Sequence, residues 1–93
     1  MPMIDIYLPK GIVRDTRQLA IDAASTVKSV EGVPDIPMFR QNTAAFVHEI
    51  DSSSMADVDG DAHHVRVQVL TNAGALDREK QIAVVRRLTD LVA

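Results

Sequence analysis

Met1-Pro2-Met3-Ile4-Asp5-Ile6-Tyr7-Leu8-Pro9-Lys10-Gly11 (residues 1–11, MPMIDIYLPKG) is the stretch from which the fold is read. Ile4, Ile6 and Leu8 alternate with Asp5 and Tyr7, the period-two pattern of a strand with one buried face. Pro9-Lys10-Gly11 ends that strand. Pro2 stands at its head, where a proline removes no ladder hydrogen bond, and this alone is enough to account for it. The same placement has a chemical meaning. If Met1 is trimmed, Pro2 becomes a secondary amine, and a free α-amine titrates near ~8. Apolar surroundings disfavour the protonated form and bring the group toward the range of a general base. If Met1 is retained, the Pro2 nitrogen is an amide and has no basicity.

Working outward, Asp15 or Thr16 can cap a helix whose stripe is Leu19, Ala20, Ala23, Ala24, Val27 and Val30, with Gly32 and Pro34 stopping it. Residues 32–42 carry two prolines and read as a connection. Residues 43–50 (TAAFVHEI) are rich in strand formers. Two strands joined by a long helical crossover favour a parallel βαβ unit. Residues 51–63 contain three serines, four aspartates and Gly60 without apolar periodicity, and read as a loop. Val65, Val67 and Val69 alternate as a third strand, Asn72 and Gly74 turn the chain, and Asp77 can cap a second helix with Ile82, Val84, Val85, Leu88, Leu91 and Val92 on its apolar face. A shift of 63 positions lays Gly11 on Gly74, Val13 on Leu76, Arg17 on Lys80, Gln18 on Gln81, Leu19 on Ile82 and Ala20 on Ala83. The pattern is that of a duplicated βα unit. The expected organisation is one α/β (α+β) domain over residues 1–93, with a βαβ unit at 1–50, a loop at 51–63 and a βα unit at 64–93.

Composition narrows the function. The chain has 93 residues, 46% apolar and 25% charged, the balance of a globular protein, and so small a domain is helped by self-association. Ten Lys and Arg against thirteen Asp and Glu give a net charge of −3, which is no footprint for nucleic acid or anionic lipid. The absence of cysteine removes thiolate catalysis and thiolate zinc sites and suits a reducing compartment. With no long apolar run and no signal-peptide pattern at the N-terminus, the expectation is a cytoplasmic protein.

Taken together, MPMIDIYLP with Gly11, the AFVHEI strand and VRVQVLTNAGALDREKQIA resemble the tautomerase superfamily, which includes 4-oxalocrotonate tautomerase. The likeness is to its longer bacterial members, in which one polypeptide carries two βαβ units. It covers nearly the whole chain. The resemblance implies two helices on one face of a mixed sheet, a trimer, and interconversion of the keto and enol forms of a small 2-oxo or 2-hydroxy-enoic acid, with Pro2 as the general base and no cofactor. Arg14 and Arg40 lie near positions where members carry substrate-binding arginines, although neither aligns cleanly, and solvated surface arginines explain both equally well. Asn72 and Ala75 stand in the loop where dehalogenating members carry two arginines, so Asn72 is the remaining substrate-binding candidate there and hydrolytic dehalogenation is disfavoured. Those members' helical histidine also has no counterpart around Val27 and Lys28. The family closes its second unit with a further strand, so the expectation is either that the sequence continues past Ala93 or that another subunit supplies that strand. The alternative to an enzyme is an oligomeric tautomerase-fold module without catalysis.

Two further groups of ionisable residues stand out. His63 and His64 adjoin Asp57, Asp59 and Asp61, but adjacent strand residues face opposite ways and the acids do not match a calcium loop, so a solvated acidic loop is the reading and no metal is expected. His48 and Glu49 also face opposite ways, and one of them is expected to point inward or toward a subunit contact.

Overall fold

The computed structural model describes residues 2–71 and 76–92. Along the chain lie β1 (Met3–Pro9), α1 (Thr16–Glu31), α2 (Pro37–Gln41), β2 (Ala44–Ile50), a single 3-10 turn (Ser52–Ser54), β3 (Arg66–Leu70) and α3 (Arg78–Val92). The described residues form an α+β fold with three helices and a three-stranded mixed sheet of order β2-β1-β3. The first strand in sequence is the central one, parallel to β2 and antiparallel to β3.

Alternation in the three strands divides the sheet into two unlike faces. Ile4, Ile6 and Leu8 pack with Leu19, Ala23 and Val27 of α1 and with Leu76, Val84 and Leu88 of the second unit, forming one buried cluster. Ala45 and Val47 of β2 and Val67 and Val69 of β3 line up beside Ile4 and Ile6 and pack against that cluster. Each Ile, Leu or Val among them is worth about 1.5–3 kcal/mol when fully removed from water. Among the described residues no α-helix packs extensively on the opposite face, and Phe46 and Leu70 are 49% and 66% exposed there.

Local chemistry sets the helix ends. Asp15 caps α1, its Oδ1 accepting from the Gln18 N–H at 3.0 Å, and Gly32 closes it in the left-handed conformation (φ 78°) that a glycine adopts without strain. Asp77 caps the start of α3 in the same way, accepting from the Lys80 N–H at 2.8 Å. Residues 32–42 hold a short helix that the sequence reading treats as plain connection. Pro37 occupies its first turn, where a missing N–H removes no intrahelical bond.

The structure does not confirm the 63-residue repeat, because the shift fails in the helices and in the strands rests on one coincidence of register. The shift carries Asp5 onto Gln68, and these two residues are also directly paired between β1 and β3, so a local twofold passes through that pair. In the helices the shift would carry Leu19, Ala23 and Val27 onto Ile82, Arg86 and Asp90, which are exposed, whereas α3 buries Val84 and Leu88. Beside β2, α1 rests on a completed pair of strands, while no described strand lies outside β3. The apolar face of α3 is accordingly left half open, with Val85 64% exposed. Gly74, the proposed partner of Gly11, lies outside the described residues.

Candidate active site

Pro2 directly precedes β1 and is fully buried. Counting along the strand places it on the helix-facing side with Ile4 and Ile6. Its carbonyl oxygen accepts from the Ala44 N–H at 3.4 Å. Since Met3 pairs with Ala44 on one side and Leu70 on the other, Pro2 lies between Thr43 and Thr71 when the register is continued by one residue. Both threonines share its face, Thr43 in line with Ala45 and Val47 and Thr71 in line with Val67 and Val69. The Thr43 hydroxyl donates to the Phe39 carbonyl at 3.0 Å. The Thr71 hydroxyl oxygen is buried and has no hydrogen-bond partner among the described residues.

Thr43 also walls a cleft of about 220 Å³ with Ile21, Ala24, Ser25 and Lys28 of α1 and with Arg40. Asp35 bridges the two cations, 2.9 Å from the Lys28 Nζ and 2.8 Å from Arg40 Nη1. The hydrogen bond from Arg40, followed by that from Lys28, holds the Asp35 carboxyl below the ordinary carboxylate range, and Asp35 in turn raises Arg40. Two cations against one anion leave the cleft with a net positive charge beside the strand that borders Pro2. Exposed pairs of this kind add little stability, and their main effect is to fix where the charges stand.

The residues singled out in the sequence do not all meet. Arg40 sits at the Pro2 end of the sheet. Arg14 follows β1 and is exposed at the opposite end, separated by a strand of about 20 Å at ~3.3 Å per residue. Within one chain the two arginines cannot hold the same small molecule. Asn72 lies outside the described residues. Lys28, Asp35, Thr43 and Thr71 have no sequence motif; strand register brings the two threonines beside Pro2, and the fold of residues 32–42 brings Asp35 to Lys28 and Arg40.

A second cluster occupies the opposite face of the sheet. His48 stacks on Tyr7, with ring centroids 4.4 Å apart and planes 11° from parallel, and the Arg66 guanidinium lies 5.8 Å from the Tyr7 ring centre. His48 Nε2 is 2.8 Å from Asp5 Oδ1. Register explains the grouping, since Tyr7 pairs with His48 on one side and with Arg66 on the other. Of the two residues considered in β2, His48 joins this face, while Glu49 is exposed. In the loop, Asp57 organises a turn by accepting from the Asp59 and Asp61 N–H groups, and His64 Nε2 lies 2.8 Å from its other oxygen. Among the described residues no three histidine or acidic side chains converge as a metal site, and no described helix is long and apolar enough to cross a membrane. Comparison of the chain with known protein families, curated proteins and solved structures gives no match.

Proposed function

We propose that this protein is a tautomerase that interconverts the keto and enol forms of a small 2-oxo acid, using the Pro2 amine exposed by loss of Met1. The observation that carries the reading is the setting of Pro2: buried at the head of the central strand, flanked by hydroxyls, and close to a cleft with net positive charge. In the keto-to-enol direction the Pro2 nitrogen takes a proton from the carbon next to the carbonyl. The C–H electron pair becomes the new C=C bond, and the carbonyl π pair moves to oxygen. The ammonium then returns its proton to that oxygen, so one proton changes place and nothing else is consumed. The strand fixes the base without help from a neighbouring side chain, which is the advantage of a ring nitrogen on the main chain. Arg40 and Lys28 supply positive charge for the substrate carboxylate. The resemblance to the tautomerase superfamily supports the same assignment, including a homo-oligomer, with a trimer as the family's arrangement.

A second reading, an oligomeric module without catalysis, draws on the open face of the sheet, where Phe46 and Leu70 are exposed beside the Tyr7–His48 stack. Ketonisation of phenylenolpyruvate by Met1-trimmed protein, verified by mass spectrometry, separates the two. Pro2→Ala is expected to lower the rate by about 100-fold or more, the range of a positioned general base. Equal rates for the two proteins reject the role of Pro2, and failure of a halogenated pyruvate to label Pro2 at neutral pH favours the module.

A further inference from the structure

Of the two threonines flanking Pro2, one hydroxyl is already engaged and the other is not. Thr43 donates to the Phe39 carbonyl at 3.0 Å, whereas the buried Thr71 oxygen has no partner among the described residues. A buried hydroxyl without a hydrogen bond is destabilising, and native proteins keep few of them. Such a group is tolerated where a ligand completes it. Resting on the proposed function above, we infer that Thr71 is the donor for the substrate's carbonyl oxygen.

The placement suits this task. Continuing the β1–β3 register sets Thr71 beside Pro2 on the same side of the sheet, and neighbouring strands lie about 4.8 Å apart. That spacing accommodates a substrate whose acidic carbon faces the Pro2 nitrogen while the oxygen on the adjoining carbon faces the Thr71 hydroxyl. When the nitrogen removes the carbon-bound proton, the C–H pair forms the C=C bond and negative charge collects on oxygen, where the Thr71 O–H donates. The Pro2 ammonium then delivers the same proton to that oxygen. Hydrolysis of the Met1–Pro2 bond replaces the acyl group on the nitrogen with a hydrogen and frees the lone pair from amide conjugation, so the nitrogen becomes smaller and basic. The hydroxyl is held ready in a water-excluded position, the condition under which a single donor contributes most to a developing oxyanion. The local twofold gives an internal contrast. At the other end of the sheet Val65 stands where the 63-residue shift would carry Pro2. The cleft there, about 320 Å³, is lined by Leu8, Ile12, Val13, Leu19, Val65 and others and offers no hydroxyl.

The test uses Thr71→Val and Thr71→Ser in Met1-trimmed protein with phenylenolpyruvate as substrate. Thr71→Val is expected to raise the Tm of the free protein by about 5 °C, because it removes an unsatisfied group. It is expected to label with 3-bromopyruvate at the wild-type rate and to lose about 100-fold in kcat with little change in KM. Thr71→Ser is expected to restore kcat. A lower Tm for Thr71→Val means that the hydroxyl has a structural partner and overturns the inference. Unchanged kcat in Thr71→Val, while turnover still depends on Pro2, overturns the inference alone. If Pro2→Ala turns over as fast as wild type, the base reading fails and this inference falls with it.

Discussion

Truncating Ile6 to alanine tests the division of the sheet into a buried and an open face. Ile6 is wholly buried at the centre of β1, between Val47 and Val67 and beneath the helices. Three carbon groups are lost, which at ~0.8 kcal/mol each removes about 2.5 kcal/mol of transfer free energy. The surroundings are strands held on both sides and cannot collapse fully into the gap, so the residual cavity brings the cost to about 3–4 kcal/mol. Against a total stability of about 5–10 kcal/mol this is a severe loss. It corresponds to a fall in Tm of about 15–30 °C for a domain of this size. Urea unfolding followed by far-ultraviolet circular dichroism reads it as a lower midpoint with an unchanged slope. Phe46→Ala is the control, because it removes a larger side chain from the open face and is expected to cost about 1 kcal/mol in an isolated chain. A cost below about 1 kcal/mol at Ile6 refutes the assignment of β1 as the core strand. A loss at Phe46 as large as that at Ile6, shrinking with dilution as the wild type itself dissociates, puts the open face in a subunit contact.

Removing either helix cap, by Asp15→Ala or Asp77→Ala, is expected to cost about 1 kcal/mol, with the two losses additive in the double variant because the caps sit on separate helices; urea midpoints measure both. Asp57 is held below its ordinary range first by the hydrogen bond from His64 and then by backbone donors, so NMR titration should find its midpoint below the usual 3.8 and His64→Ala should raise it. Because the folded-state value is the depressed one, its contribution to stability is complete above the unfolded pKa and disappears as pH falls through the folded one. Arg40→Ala is expected to raise KM for an enol acid about tenfold, while Arg14→Ala has no comparable effect unless a second subunit brings that side chain to the Pro2 end. Steady-state kinetics of the two variants at one ionic strength decides this.

How much of this was legible in the sequence depended on whether a feature was local. The alternation of Ile4, Ile6 and Leu8, the Asp15 cap and the Gly32 stop each act over a few residues, and each stands where the pattern puts it. The short helix at Pro37–Gln41 escapes the sequence reading because two prolines suggest a connection, although Pro37 followed by Met38-Phe39-Arg40-Gln41, with no glycine or further proline, is also a valid first turn. The apolar stripe of α3 was visible, but how much of it would be covered depended on the strand count beyond β3, which no local pattern specifies. Thr43 and Thr71 are single threonines with no motif. Their meaning emerges only once both pairings of β1 are known, and the Lys28–Asp35–Arg40 cluster likewise needs the turn at Gly32 to bring its members together.

The central position of β1 also bears on biogenesis. The strand made first has no partner until β2 is synthesised and is enclosed only when β3 follows, which at ~5–20 residues per second leaves several seconds after it is translated. During that interval the leading residues are open to a ribosome-associated aminopeptidase, whereas in the finished fold Pro2 is enclosed. Sheet closure therefore sets the interval before Pro2 is enclosed, and under the proposed tautomerase reading protein that keeps Met1 is expected to fold normally and to lack activity.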